Sequence, residues 1–181
     1  MVNTKAQPKT AKPQAETAKP QAKTAANGFT AGTPWVYTDT VKEHFLNPRN
    51  FLMGDETKYD YDAKGIVGNP ICGDQMLMMI KVKNQPIKKE SSNSDETEPV
   101  ITDVKWKTYG CASAIASTSA LSELAKGKTL DEALNITAEE IEEYLGGLPK
   151  HKFHCSVLGH EALASAIANY KKKHPLQKSS I

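Results

Sequence analysis

The sequence predicts an α+β domain. Met76 to Val82 is an unbroken apolar run of strand length, and Val100, Val104 and Trp106 recur among polar residues as on a half-buried strand. At Gly110-Cys111 the pattern changes to a helical period and stays helical to about Lys173. One helical segment, then strands, then helices is the order of an α+β fold rather than of a βαβ repeat.

Composition sets the outer limits. Of 181 residues, 39% are hydrophobic and 24% charged, which suits one soluble domain with a tail. The net charge of +2 is unevenly placed: residues 1–33 hold five Lys and one Glu, so +4, leaving −2 for the remainder. With its basic excess in the tail and Arg49 as the single Arg, the chain carries no nucleic-acid footprint. No apolar run approaches membrane-spanning length, so no membrane partner is expected. The N-terminus lacks the apolar core of a secretory signal and the Arg of a presequence. The expected compartment is the cytoplasm, with a mitochondrion or related organelle as the alternative. The three Cys, at 72, 111 and 155 with no CxxC, suit reduced thiols rather than a disulfide framework.

In chain order, residues 1–33 contain a seven-residue Thr-Ala-Lys-Pro-Gln-Ala repeat from Thr10 and again from Thr17. Proline in each copy and the lack of an apolar seam exclude a coiled coil, and the segment is expected to be a disordered, solubilising tail. Thr38 or Asp39 caps a short helix to about Leu46, with Tyr37 placed as a hydrophobic staple and Asn47-Pro48 as the stop. His44 reads as a partly exposed residue of that helix. Residues 49–64 form a long ordered loop, and Gly65-Ile66-Val67 begins a strand. Met76–Val82 is a strand covered on both faces, pairing antiparallel with the strand around 100–107. Residues 84–99, rich in Ser, Asn, Asp and Glu, form an exposed hairpin loop.

Ala112 to Lys126 is a helix with Ile115, Ala116, Ala120, Leu121 and Leu124 on its apolar stripe and Gly127 just past its end. Thr129-Leu130-Asp131-Glu132 and Thr137-Ala138-Glu139-Glu140 are capping boxes that open two short helices. Gly146-Gly147 ends the second, and Ser156 or a neighbour caps a last helix to about Lys173, with Leu163, Ile167 and Tyr170 inward. Pro175 closes the ordered part, so the domain spans 34–175 and residues 176–181 are a flexible C-terminus. His151, His160 and His174 lack partners at ligand spacing and are expected at the surface.

The three Cys share a kind of position. Cys72 lies in a tight Pro- and Gly-flanked loop with Asp74 two residues on, Cys111 at a strand-to-helix turn, and Cys155 at the start of the last helix. A helix N-terminus favours the thiolate. A single Cys is ordinarily a small buried hydrophobe, but three at turns and none in an apolar stripe point to ligands. Three thiolates with Asp74 or His154 as the fourth group suit zinc or iron–sulfur chemistry, not calcium or magnesium.

These residues lie in motifs that resemble the IscU-type iron–sulfur cluster assembly scaffolds, also found as the N-terminal part of NifU proteins. The motifs are Asn47-Pro48-Arg49-Asn50, Gly68-Asn69-Pro70-Ile71-Cys72-Gly73-Asp74 and Lys107-Thr108-Tyr109-Gly110-Cys111-Ala112-Ser113-Ala114-Ile115-Ala116-Ser117. Gly127 to Ala133, Lys152-Phe153-His154-Cys155-Ser156 and Ala162 to Tyr170 complete them, in the family order over about 35–173.

The resemblance implies a three-stranded antiparallel sheet with helices packed on it and a cluster site at one end. It implies a non-enzymatic scaffold for a [2Fe-2S] cluster, built from iron and from persulfide sulfur supplied by a cysteine desulfurase, then passed to apo iron–sulfur proteins. On matching positions Cys72, Cys111 and Cys155 are the thiolate ligands, with Asp74 and His154 as alternative fourth ligands. Cys155 is the persulfide acceptor, Cys111 the second candidate, and Lys152 assists by favouring thiolate. Zn2+ is the alternative occupant. Frataxin-like, ferredoxin and Hsp70/J-protein partners and a homodimer are also implied. Leu148-Pro149-Lys150-His151-Lys152 departs from the Leu-Pro-Pro-Val-Lys that the chaperone binds in many members. The alternative functions are a zinc-dependent, SufU-like sulfur acceptor and a domain with a purely structural zinc; the family's SufU branch lacks a His before the last Cys, so His154 favours the scaffold.

Overall fold

The computed structural model describes residues 37–69, 73–86, 97–149, 152 and 154–175. The predicted disordered tail over 1–33, the tip of the predicted hairpin loop and the flexible C-terminus lie outside the described residues. Three strands form one antiparallel sheet in the order β1 (Ala63–Asn69), β2 (Asp74–Pro86) and β3 (Thr97–Tyr109). Five helices accompany it: α1 (Asp39–Leu46), α2 (Ala112–Ala125), α3 (Leu130–Leu134), α4 (Ala138–Tyr144) and α5 (His154–Lys173). This is the α+β architecture that the sequence predicts.

The register explains the unbroken apolar run. Gly65 pairs with Met78 and Met78 with Trp106, while Ala63, Ile80 and Val104 form the next row on the same face. These residues meet the helices and are buried. Leu77 and Met79 alternate onto the opposite face, yet they too are buried. The segment after α1 provides the cover there. Leu52 N–H donates to Trp106 O at 2.9 Å, and Asp62 N–H donates to Ile80 O at 3.0 Å. Tyr59 Oη donates to Asp103 at 2.7 Å, with Lys81 Nζ lying 5.1 Å over its ring. The second face is therefore covered over Leu77 and Met79, although Ile66 beside Leu77 stays 52% exposed, and a two-period apolar pattern is absent from this part of β2 for that reason.

Both hairpin strands extend beyond the limits read from the sequence. β2 continues to Pro86 and β3 begins at Thr97, so the predicted 84–99 loop is shortened at both ends. Residues Lys83 to Pro86 are exposed while still paired, so backbone pairing outlasts any burial signal there.

Capping follows the sequence closely. Thr38 accepts from Val41 N–H at 3.1 Å and donates to Leu145 O at 2.6 Å, tying the start of α1 to the end of α4. Both capping boxes form, Thr129 with Glu132 and Thr137 with Glu140. Gly127, Gly146 and Gly147 take the positive φ that ends helices. The last helix starts at His154, two residues before the predicted cap.

Helix α2 is buried on nearly every side, wedged among α1, α4, α5 and β3. Its many Ala and Ser side chains are small, which lets neighbouring helices approach. The buried hydroxyls are satisfied: Thr118 on Ala114 O at 2.8 Å, Ser122 on Ser119 O at 2.7 Å, and Ser117 with Ser156 at 3.3 Å. His44 corrects the sequence reading, because it is only 4% exposed. Its Nδ1 lies 2.8 Å from the Ser119 hydroxyl, which also accepts the Arg49 amide at 2.7 Å, and Tyr144 meets the ring edge-on. His160 is likewise not a plain surface residue, since its Nε2 lies 3.0 Å from Leu134 O.

Helix α5 packs on β1 and β2. Gly65 permits this, because a β-carbon there would run into the backbone of Ala162 and Ala166 and come within 2.8 Å of Ser165 Cβ. Gly65→Ala is expected to cost about 2–3 kcal/mol, read from urea unfolding; an unchanged midpoint would show that the helix can shift away. His44 generates a second expectation. Burial holds its pKa below the ordinary 6.5, with Glu123 and Glu43 opposing and Arg49 assisting. The unfolded chain therefore binds the proton first, so stability present above pH 6.5 is lost as the pH falls through and below it. His44→Gln should flatten that part of the stability–pH curve, and an equal slope in parent and variant would assign it elsewhere.

Candidate metal centre

Three junctions meet at one end of the sheet. Asp74 is the first residue of β2, paired with Asn69 across the turn from β1. Cys111 is the N-cap of α2, where β3 hands over to the helix, and Cys155 is the second residue of α5. A carboxylate oxygen of Asp74 and the sulfurs of Cys111 and Cys155 all lie within 4.8 Å of one another. Cys72 lies outside the described residues. His154 opens α5 beside Cys155, and only its backbone is described.

The two sulfurs are 3.6 Å apart. Two thiolates on one tetrahedral metal with bonds near 2.3 Å would be separated by about 3.8 Å, so the observed spacing is that of a ligand pair. Asp74 is 7% exposed, and its Oδ2 is buried without a hydrogen-bond partner among the described residues. A buried carboxylate oxygen left bare costs free energy unless a cation meets it. The donor set and the orphaned oxygen both fit a soft-to-borderline metal.

The electrostatics are uneven between the two thiols. The hydrogen bond between the two thiols is the largest cause pulling the Cys111 pKa down to about 5, against its own burial. The amides of Ala114 and Ser113 at the start of α2, and the charge of Lys152, add to this. Cys155 is pushed the other way, first by that same hydrogen bond and then by burial. One proton is thus shared, residing on Cys155. Lys152, half-exposed, has its own pKa raised, chiefly by Cys111 and also by Cys155, Tyr37 and Asp74.

Sequence reasoning missed two neighbours of the site. Ser113 Oγ, fully buried in the first turn of α2, donates to Tyr37 Oη at 3.0 Å. This brings the residue before the N-cap of α1 next to the thiolate end of α2. The only local signal was a tyrosine ahead of a cap, which reads equally well as a staple.

Fold and site together define a small α+β domain that presents two thiols and a carboxylate to one metal-sized point. Residues 36–177 match the family described as the NifU-like N terminal domain, and the chain belongs to that family. It is 46% identical over 139 residues to the iron-sulfur cluster assembly scaffold protein IscU 1 of Archaeoglobus fulgidus, covering 77% of this chain and 79% of that protein. It is 50% identical over 139 residues to the nitrogen fixation protein NifU of Azospirillum brasilense, covering 76% of this chain but only 40% of that protein. The crystal structure of the N-terminal part of a NifU-like protein from Brucella abortus shares the fold, with a TM-score of 0.55, 18% identity and coverage of 75% of this chain and 94% of that one. No helix among the described residues is long and apolar enough to cross a membrane.

The thiol asymmetry is measurable. In metal-free protein, alkylation of Cys111 should titrate with a midpoint near pH 5, while Cys155 stays slow through neutral pH, read by peptide mass spectrometry. Cys155→Ala removes the S–H donor and should move the Cys111 midpoint up; a midpoint already in the ordinary thiol range would refute the arrangement.

Proposed function

We propose that this chain is a scaffold on which a [2Fe-2S] cluster is assembled and from which it passes to apo-proteins. The observation that carries this reading is the meeting of Asp74, Cys111 and Cys155 within 4.8 Å, with one carboxylate oxygen buried and bare. The scaffold names of its relatives support it. The cluster is the cargo of the site, not a resident cofactor. Cys72, Cys111 and Cys155 serve as thiolate ligands, and Asp74 or His154 as the exchangeable fourth.

Sulfur comes from a persulfide on a cysteine desulfurase. The acceptor thiolate attacks the outer sulfur, the donor's S–S bond breaks, and the donor leaves as thiolate, so the sulfur moves without net redox change. Two electrons from a ferredoxin-like partner then reduce it to sulfide. Cys155 is the proposed acceptor and Cys111 the second. The two share one proton across 3.6 Å, so a short transfer passes the negative charge from one sulfur to the other, and Lys152 favours it on either.

The chemistry is ligand exchange, not catalysis. A carboxylate is a harder and more exchangeable ligand for iron than a thiolate, which makes Asp74 the point of release. Apo iron–sulfur proteins receive the cluster, with frataxin-like and Hsp70/J-protein partners and a second copy of the chain as further partners. Residues 34–175 make up the scaffold domain. The wide spacing of the three Cys, with no CxxC, suits reduced thiols, and we assign the protein to the cytoplasm.

Anaerobic reconstitution with ferrous iron, cysteine and a desulfurase tests the reading, with the visible absorption of a [2Fe-2S] cluster as the expected outcome. A colourless product holding one tight zinc would instead mark a zinc-dependent sulfur acceptor. Unfolding upon chelation would mark a structural zinc. Asp74→Ala should still assemble cluster but deliver it to an apo-ferredoxin roughly tenfold more slowly; transfer at the parent rate would remove Asp74 from the release step.

A further inference from the structure

We infer that Gly110 is a positioning residue for Asp74, keeping clear the space in which the carboxylate lies against the two sulfurs. The inference rests on Asp74, Cys111 and Cys155 being ligands. Five glycines among the described residues have positive φ, which accounts for glycine at those turns, and Gly110 is not one of them. It is also exposed and outside the core. Its backbone would accept alanine, so the need for glycine there lies in clearance rather than conformation.

A β-carbon at position 110 would lie 3.0 Å from Ala114 Cβ, 3.2 Å from Thr108 Oγ1 and 3.3 Å from Asp74 Cγ. Each distance is shorter than the roughly 3.5–4.0 Å of a relaxed carbon contact. The three neighbours differ in how they can yield. Ala114 Cβ is fixed to the first turn of α2 and fully buried. The Thr108 hydroxyl is held by a 2.7 Å hydrogen bond to Gln75 O. Asp74 has a rotatable side chain and an Oδ2 that no hydrogen bond restrains. Of the three, Asp74 is the neighbour that can turn aside, so an added methyl shifts the carboxylate relative to Cys111 and Cys155, while the Ala114 contact is taken up by the exposed Gly110 backbone itself. Gly110 acts through Asp74 and itself touches no metal.

Cobalt(II) titration of metal-free protein, followed by the sulfur-to-cobalt charge-transfer and visible ligand-field bands, tests this in a double-mutant cycle. Gly110→Ala should weaken cobalt binding about tenfold and change the ligand-field bands as Asp74→Ala does. In the Asp74→Ala background the same glycine substitution should have no further effect. Parent-like affinity and spectrum in Gly110→Ala would overturn the inference, as would an equal loss in both backgrounds. If Asp74→Ala itself leaves cobalt binding unchanged, the ligand reading of Asp74 fails and this inference falls with it. Should Gly110→Ala not fold, thermal unfolding of the Gly110→Ala/Asp74→Ala pair decides. Recovery of folding supports the clash with the carboxylate, and a pair that stays unfolded overturns it.

Discussion

The missing side chain at Gly65 sets the height of α5 over the sheet. With the backbones of Ala162 and Ala166 resting on that glycine, α5 lies directly on β1 and β2. Its first turn then reaches the end of the sheet where β2 begins and β3 turns into α2. The Cys155 sulfur arrives beside that of Cys111 through this close approach together with the packing of α5 on α2, where Ser156 meets Ser117 at 3.3 Å. The site is thus a product of backbone packing some distance away from it.

What the packing brings together is electrostatically costly. Two sulfurs and a carboxylate share a space a few ångströms wide, and all three can carry negative charge. The fold offsets this incompletely. Cys155 keeps its proton, the first turn of α2 turns its amides toward Cys111, and Lys152 adds a positive charge at the rim. Asp74 Oδ2 is left bare. A cation at this point would supply the missing charge and meet the bare oxygen.

Much of the fold was legible because the signals are local. Thr129 and Glu132, or Thr137 and Glu140, find one another within a single turn, so their capping boxes appear in the sequence as they do in the structure. Gly127 marks the end of α2 by the backbone angle it alone accepts readily. The misreadings occur where a residue's environment comes from far along the chain. His44 is polar and sits beside an apolar stripe, which locally means partial exposure. Ser119 on α2, 75 residues away, supplies the buried partner that draws it inside. The serines of α2 were invisible as core for the same reason, as Ser113, Ser117 and Ser119 find their hydroxyl partners in Tyr37, Ser156 and His44, and their small size is what the surrounding elements require.

The sequence by itself determined the types of element, their caps and order, and the chemistry of the candidate ligands, because these depend on side-chain chemistry and on contacts a few residues apart. It placed Asp74, Cys111 and Cys155 each at a junction where a side chain can be presented. Tertiary structure alone decided that the three converge, that Cys111 is drawn down and Cys155 pushed up in pKa, and that one oxygen of Asp74 is left without a partner among the described residues. Charge distribution and desolvation depend on distances between groups dozens of residues apart, and only the packed chain fixes those distances.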